Sequence, residues 1–305
     1  MKKLILLMFF AAHNLIAAEG EAAPTPEIKA PPAYPTDLRV EPDVAYLSPE
    51  RKEKADLYFS NEMKSGQRVP AIVVIHGGGF NDGDKAQKRQ LSICSDLGRH
   101  GFVTMSINYK LAKVKGKATW PISVYDAKTA VRWLRKNAER LGIDADKIGV
   151  LGGSAGGNLA AMLAVTTPED GFDPAEPYGD VSARVACAVD LYGAVDLMNY
   201  HDMKMFAKTR EEAPELYRKA SPLTYAKAQA APMLIIHGTA DETVALSQSE
   251  TLTAALKKAG ADVELVVIPD APHSFDLQPP QRDLRPLVFA FFDKHLTSSR
   301  AAQTP

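Results

Sequence analysis

The sequence predicts an α/β fold in which a mostly parallel central sheet is covered by helices on both faces. From residue 71 onward, apolar runs of strand length alternate with helical patterns, the order expected for parallel strands joined by crossover helices. The runs lack the polar alternation that is typical of a half-exposed strand. With 305 residues and 46% hydrophobic content, the chain can form the core of one large domain.

The candidate elements follow a regular order along the chain. Strands are predicted at 44–47, 54–59, 71–76, 102–108, 148–151, 185–192, 233–237 and 263–268. Helices are predicted at 85–99, 123–140, 155–165, 245–258 and 287–295. Two insertions, at 167–184 and 197–232, interrupt this order. The second is predicted to be a small cap near the strand ends, where ligand-contacting loops collect.

The N-terminal residues predict export. Lys2 and Lys3 precede an apolar stretch at 4–12, and small residues at 17–18 suit cleavage after residue 18. The alternative is an uncleaved membrane anchor, although the apolar stretch is shorter than the roughly 20 residues of a spanning helix. We therefore expect a signal peptide at 1–18, a Pro/Ala-rich tether at 19–40, a catalytic domain at 41–298 and a tail at 299–305, in a periplasmic or extracellular protein without a stable membrane span.

Composition excludes several classes of partner and cofactor. The net charge of -1 provides no basic footprint for nucleic acid. Cys94 and Cys187 are the two cysteines; export permits a disulfide, but we predict two buried free thiols. Histidine and cysteine spacings predict no metal site, and we expect no cofactor. The oligomeric state stays open.

Ser154 lies in a Gly-x-Ser-x-Gly turn between a β-type apolar run and a helix-forming run. In a nucleophile elbow the serine has strained dihedrals, so the residues two before and two after it must be small. Gly152 and Gly156 meet that need. The alternative is a flexible glycine turn, but the adjoining strand and helix favour the elbow.

A serine nucleophile needs a base and a carboxylate, which in this type of fold follow in the order Ser, Asp or Glu, then His. His273 is the predicted base because it lies in the loop after the last apolar run. Asp241 is the predicted acid because it follows the preceding run, with Glu242 and Asp196 as competitors. His237 ends a strand, and we expect it to form hydrogen bonds at the sheet edge.

The predicted oxyanion hole lies in His-Gly-Gly-Gly-Phe at 76–80, directly after a strand. Consecutive glycines let backbone N–H groups point at a ligand, and we assign Gly78, Gly79 and the N–H of Ala155 as donors. A phosphate cradle is the alternative, but no Gly-Lys-Ser/Thr follows.

On these motifs, together with Gly-Asp-Lys at 83–85, Ser-Pro-Leu at 221–223 and His-Gly at 237–238, the chain resembles the α/β-hydrolase superfamily. Within it, the chain is similar to the bacterial His-Gly-Gly-Gly esterases related to hormone-sensitive lipase, and to their acetyl esterase and feruloyl esterase-like branch. The resemblance implies a serine esterase acting on acetyl or hydroxycinnamoyl groups of plant polysaccharides. One departure is Ala271-Pro272 before His273, where relatives often have glycine.

Two other functions share these features. Prolyl oligopeptidase-type exopeptidases also use a Gly-x-Ser-x-Gly-Gly elbow, but they usually carry a large β-propeller, and only about 40 residues precede the domain here. A catalytically dead binding module usually loses a triad member, and all are present here. The expected partner is a small ester or an acylated polysaccharide. Phe80, Tyr200, Met203 and Phe206 are the candidate substrate-binding residues, with packing inside a small cap as the alternative for the last three.

Overall fold

The computed structural model describes residues 33–64 and 66–297. The predicted signal peptide at 1–18, the first part of the predicted tether and the tail at 299–305 lie outside the described residues. Among the helices of the described part, none has the length and apolar character needed to cross a membrane.

The central sheet has eight strands in the order β1-β2-β4-β3-β5-β6-β7-β8. The first two pairings of this order, β1 with β2 and β2 with β4, are antiparallel, and all others are parallel. This confirms the predicted mostly parallel sheet. The strands are β1 Leu38–Val44, β2 Ala55–Ser60, β3 Val69–Ile75, β4 Val103–Ile107, β5 Ile143–Gly153, β6 Cys187–Leu191, β7 Met233–Gly238 and β8 Val263–Ile268.

The helices cover both faces of the sheet. They are α1 Lys88–His100, α2 Ile122–Lys136, α3 Ala138–Leu141, α4 Ala155–Val165, α5 Pro214–Lys219, α6 Ser247–Ala259 and α7 Arg285–Leu296. The structure confirms the predicted bounds of α4. The helix predicted at 123–140 is divided in the structure, because Asn137 ends α2 and precedes the short α3.

The beginning of the domain differs from the prediction. The strand predicted at 44–47 is wrong, since β1 runs from Leu38 to Val44 and therefore begins inside the predicted tether at 19–40. Leu38 is buried and packs against α1, where a Cβ on Gly98 would lie 3.0 Å from its Cδ1. Pro42 is compatible with this strand, because β1 is an edge strand with a bulge and such a strand tolerates proline. The domain thus begins before residue 41.

Two apolar clusters form the core, one on each face of the sheet. Side chains from α2, α4 and α6 pack on one face, and side chains from α1 and α7 pack on the other. Every residue of β4, β6 and β7 is buried, which explains their uninterrupted apolar runs. Both cysteines of the chain are buried and free, as predicted.

The insertion at 197–232 lies between β6 and β7. It contains α5 and short 3-10 turns at Leu197–Asn199, Lys204–Phe206 and Pro222–Tyr225. Main-chain hydrogen bonds join it to the domain, for example from the amide of Leu223 to the carbonyl of Val195, at 3.1 Å. The insertion is therefore a small set of helical turns attached to the sheet.

Candidate active site

Ser154 lies on a sharp turn between β5 and α4, with φ 58° and ψ -119°. A non-glycine residue at such angles is strained, and packing must hold it there. A Cβ on Gly152 would lie 2.0 Å from the carbonyl oxygen of Gly156, and one on Gly156 would lie 2.1 Å from that of Ile75. Strand and helix therefore approach more closely than any side chain at these two positions allows.

The structure brings Ser154, His273 and Asp241 into one hydrogen-bonded row. His273 Nε2 lies 3.0 Å from Ser154 Oγ, and His273 Nδ1 lies 2.6 Å from Asp241 Oδ2. The side chain of Asp241 is fully buried, whereas that of His273 is 14% exposed. If Nδ1–H donates to the carboxylate, Nε2 has a free lone pair that can accept the serine proton.

The carboxylate of Asp241 is held by more groups than sequence reasoning indicated. The amides of Thr243 and Val244 donate to its Oδ1 at 2.9 and 2.8 Å. A second imidazole also approaches Oδ2, since His237 Nε2 lies 3.2 Å away. The carboxylate therefore faces four nitrogen atoms.

The contacts of His237 assign a hydrogen to its Nε2. Burial lowers the pKa of this histidine, and its Nδ1 lies 2.7 Å from the hydroxyl of Ser249. Its Nε2 lies 2.8 Å from the carbonyl oxygen of Val244, which can only accept. The contact with Asp241 was missed, although the spacing of four residues between the two side chains was visible in the sequence.

Tyr192 and backbone hydrogen bonds fix the loop that carries His273. The ring of Tyr192 packs edge-on against the imidazole at 4.8 Å between centroids, and its hydroxyl donates to the carbonyl of Phe275. The amide of Asp270 donates to Thr239 Oγ1 at 2.9 Å. Sequence reasoning assigned Tyr192 only to a strand, and no sequence signal identified this contact.

The glycine loop at 77–79 packs directly against the elbow. A Cβ on Gly77 would lie 3.1 Å from the Cβ of Ser154. Gly78 and Gly79 have φ values of 110° and 59°, which glycine adopts most easily. Among the described residues, the amides of Gly78, Gly79 and Ala155 donate to no protein acceptor. These three N–H groups are thus available to a ligand.

The candidate substrate-binding residues separate into two groups. Tyr200 is half-buried and lies near Asp241, whose charge adds to the burial that raises the pKa of this tyrosine. Phe80, Met203 and Phe206 are only 1%, 4% and 2% exposed and belong to the core. The prediction that these three line a pocket is corrected, because they offer a ligand almost no surface. Apolar packing of the small insertion uses them instead.

Two clefts lie in this part of the molecule. The first, of about 360 Å³, is lined by residues from 52–53, 83–84 and 108–122, and the second, of about 580 Å³, includes Asp241 in its lining. Tyr200 and Glu242 line the second cleft. Across residues 33–64 and 66–297, no group of three or more His, Cys, Asp or Glu side chains is arranged to hold a metal ion.

Asp190 is a further titratable residue beneath the elbow. It lies in β6, is completely buried, and its Oδ1 accepts the amide of Gly193 at 2.9 Å. Its Oδ2 has no hydrogen-bond partner among the described residues, and burial raises the pKa of Asp190 to about 7. The sequence signal for this group is an acidic residue inside an apolar run. The prediction of a strand at 185–192 did not use that signal.

A comparison with known protein families finds that the BD-FAE family model matches residues 55–256. The chain belongs to the BD-FAE family. This BD-FAE chain is similar to esterase LipQ of Mycobacterium tuberculosis, with 31% identity over 77% of this chain and 57% of that protein. It spans only about half the length of three curated relatives that it matches.

Solved structures show the same fold over nearly their whole length. A truncated form of a carbohydrate esterase from gut microbiota has a TM-score of 0.79 and 27% identity, with coverage of 88% of this chain and 99% of that chain. Esterase 2 of Thermogutta terrifontis, phosphorylated by paraoxon, has a TM-score of 0.70 and 27% identity, with coverage of 87% and 97%. The BD-FAE chain therefore has the α/β-hydrolase fold, which confirms the resemblance inferred from its motifs.

Proposed function

We propose that this chain hydrolyses carboxylic esters, with Ser154 as nucleophile, His273 as general base and acid, and Asp241 as the residue that orients His273. The observation that carries the proposal is the unbroken row of hydrogen bonds from Ser154 Oγ through the imidazole to Asp241. A serine hydroxyl is a poor nucleophile unless such a base removes its proton. The similarity to esterases supports the same reaction.

The first step forms an acyl-enzyme. Ser154 Oγ bonds to the acyl carbon while its proton moves to His273 Nε2, and the carbonyl oxygen becomes an oxyanion. The resulting imidazolium is stabilised by the carboxylate of Asp241. The tetrahedral intermediate then collapses, the bond to the alcohol oxygen breaks, and His273 returns its proton to the leaving alcohol.

Water completes the reaction at the same acyl carbon. His273 Nε2 takes a proton from water as the oxygen bonds to the acyl carbon, and a second oxyanion forms. When this intermediate collapses, Ser154 Oγ leaves and regains its proton from His273, and the carboxylic acid is released. One ester and one water thus give one alcohol and one acid.

The amides of Gly78, Gly79 and Ala155 are the proposed oxyanion donors. They lie on the loop and helix that meet at Ser154, and they have no protein acceptor among the described residues. Fixed donors of this kind stabilise the charge that develops in the transition state without reorganisation during the reaction.

The proposed substrates are short acyl esters, and specifically acetyl or hydroxycinnamoyl groups on polysaccharides. Similarity to a carbohydrate esterase supports this class. A panel of acetylated xylan, methyl ferulate and p-nitrophenyl esters of increasing chain length would rank the substrates. Faster turnover of aminoacyl-proline amides than of every ester in the panel would instead favour an exopeptidase.

We also propose that the enzyme acts outside the cytoplasm, on the basis of the sequence pattern at 2–18. Expression of the full chain in a bacterial host should yield a processed protein in the periplasm or medium whose first residue is Glu19. Complete retention of unprocessed chain in the cytoplasm would contradict this proposal.

Substitution of the nucleophile tests the proposed reaction. Ser154→Ala should lower kcat for p-nitrophenyl acetate by at least about three orders of magnitude, because the remaining oxyanion donors and binding contacts supply only residual catalysis. Ser182→Ala is a matched control, since Ser182 lies in the insertion at 167–184 and its hydroxyl accepts only the amide of Arg184. Normal turnover by a correctly folded Ser154→Ala protein would exclude the proposed mechanism.

A further inference from the structure

A lysine-lined cleft lies beside the glycine loop. This lysine cleft has a volume of about 360 Å³. Its charged lining residues are Lys52, Glu53, Asp84, Lys110, Lys113 and Lys117. Four cations and two carboxylates leave a formal charge of two positive units there, although the whole chain carries -1.

The carboxylates of the lysine cleft already have partners. Glu53 accepts from Arg51 Nε at 2.9 Å and lies 3.6 Å from Lys110 Nζ. Asp84 accepts from the side-chain amide of Asn108 at 2.9 Å and from the amide of Ala86 at 2.8 Å. Both acids are therefore engaged by groups of the protein itself.

Three of the lysines have no paired carboxylate among the described residues. Lys52, Lys113 and Lys117 are exposed, and within residues 33–64 and 66–297 no carboxylate lies within 4.0 Å of their Nζ atoms. Exposed ammonium groups that face one cleft raise the local concentration of anions. The cleft thus favours a negatively charged ligand.

The wall of the lysine cleft packs against the glycine loop, which in turn packs against the elbow. Gly83 lines the cleft, and a Cβ at this position would lie 2.5 Å from the carbonyl oxygen of Gly77. Gly77 in turn packs against Ser154. The charge of Lys113 also reaches this loop, because it acts together with burial to lower the pKa of His76.

Main-chain hydrogen bonds fix the segment that carries Lys113 and Lys117. At its start, the amide of Ala112 donates to the carbonyl of Phe80 at 2.8 Å. At its end, the amide of Thr119 donates to the carbonyl of Met205 in the insertion, also at 2.8 Å. The lysines therefore lie on a loop that spans from Phe80, the residue after the glycine loop, to the insertion.

The cleft that Asp241 lines has the opposite charge. Its charged lining residues are Asp196, Asp241 and Glu242, and it has no lysine or arginine. An anionic substrate group would be repelled there and attracted at the lysine cleft. The two clefts thus differ in charge, and the binding of a neutral ester would not require that difference.

We propose that the lysine cleft binds a carboxylate carried by the ester substrate, as in an acylated glycan that contains uronate residues. This inference rests on the proposed esterase function. Lys113 and Lys117 are the specificity-determining residues, and neither takes part in bond making or breaking. The reaction at Ser154 stays the same, while the substrate is selected by charge.

Two matched pairs of substrates test this assignment. On the alcohol side, 4-acetoxybenzoate is compared with 4-acetoxybenzamide, and on the acyl side, the p-nitrophenyl monoester of succinate is compared with p-nitrophenyl butyrate. The readout is the ratio of kcat/KM for the anionic ester to that for the neutral one. In Lys113→Gln/Lys117→Gln, this ratio should fall about three- to tenfold in at least one pair, as expected for two exposed charge contacts.

Ionic strength supplies a second readout. The anionic preference of the unmodified enzyme should decrease at about 1 M salt, where the Debye length is about 3 Å. The control variant Lys257→Gln/Lys258→Gln removes the same charge from exposed positions of α6, away from the cleft, and should keep the ratio of the unmodified enzyme.

The outcomes separate this inference from the proposed function. Turnover that survives in Ser154→Ala would overturn both. If Ser154→Ala is inactive but both pairs show the same ratio in the unmodified and Lys113→Gln/Lys117→Gln proteins, the esterase proposal stands and the carboxylate assignment is overturned. An equal decrease in the Lys257→Gln/Lys258→Gln control would also overturn it, because net charge rather than the cleft would then explain the preference.

Discussion

Asp190 and Asp241 are two buried carboxylates near the ends of neighbouring parallel strands, yet their surroundings differ. Asp241 meets two backbone amides and two imidazoles. Asp190 accepts a single amide, and its Oδ2 has no partner among the described residues. Burial raises the pKa of Asp190 to about 7. Burial alone therefore favours the neutral acid, and several donors are needed before a buried carboxylate can serve as a stable negative charge.

The largest expected effect follows from removing the charge at Asp241. Asp241→Asn keeps an oxygen that accepts the amides of Thr243 and Val244, but it presents a neutral group to His273. Turnover of p-nitrophenyl acetate should fall by about three to four orders of magnitude, because the imidazole loses its orientation and its counter-charge. Steady-state kinetics would measure this loss.

The control for this prediction is Glu242→Gln, which alters the competing acid next in the sequence. Among the described residues, Glu242 makes no hydrogen bond to His273, which bonds only to Asp241 and Ser154. We expect a far smaller loss. Equal losses in the two variants would contradict the distinct role of Asp241.

A smaller effect is expected at Asp190, and on stability rather than on turnover. Its raised pKa means that, between about pH 4 and about pH 7, the folded chain holds a proton that the unfolded chain has released. The free energy of unfolding therefore falls as the pH rises through this window. Above the window, Asp190 causes no further decrease. Asp190→Asn should reduce the loss of stability between pH 5 and pH 8 by on the order of 3 kcal/mol.

Denaturant unfolding of both proteins at several pH values would measure this difference. The comparison is between the two pH profiles, so other titrating groups contribute equally to each. Parallel profiles would show that Asp190 is ionised in the folded protein despite its single donor.

The smallest expected effect concerns His237, the second imidazole at Asp241. His237→Leu removes the Nε2–H donor and should lower kcat about tenfold, equivalent to about 1.4 kcal/mol, without raising KM. His237→Gln retains a side-chain nitrogen donor and should recover part of that loss. Kinetics of the two variants, together with their melting temperatures, would measure it.

A purely structural role for His237 predicts another pattern. The two variants would then lose activity in proportion to the fraction of unfolded protein, with no difference in kcat per folded molecule. That result would remove His237 from the groups that position the carboxylate.

Sequence reasoning was most successful where local chemistry determines structure. The apolar runs predicted the parallel sheet because strands buried on both faces have no polar alternation. The small residues around Ser154 predicted the turn and the helix that follows it. The order of Ser154, Asp241 and His273 along the chain selected three side chains that the structure brings within hydrogen-bonding distance. Their catalytic roles stay predictions until the variants are measured.

The remaining features depend on contacts between distant segments. The lysine cleft joins Lys52 to a loop almost sixty residues later in the chain, and no local pattern indicates that approach. Met203 and Phe206 were indistinguishable from pocket residues by composition, since an apolar side chain suits a core and a ligand wall equally. The start of β1 was missed because this strand directly follows the proline-rich stretch that indicated a tether.

The loop between Ala112 and Thr119 is held at both ends by main-chain hydrogen bonds. Such anchors do not depend on the side chains at the intervening positions, and residues 113–118 are all exposed. The residues of this stretch can therefore be replaced without loss of the main-chain hydrogen bonds that hold its ends. With the lysine cleft as the proposed selector of substrates, laboratory evolution confined to residues 113–118 should change substrate preference while the sheet and the serine turn keep their fold.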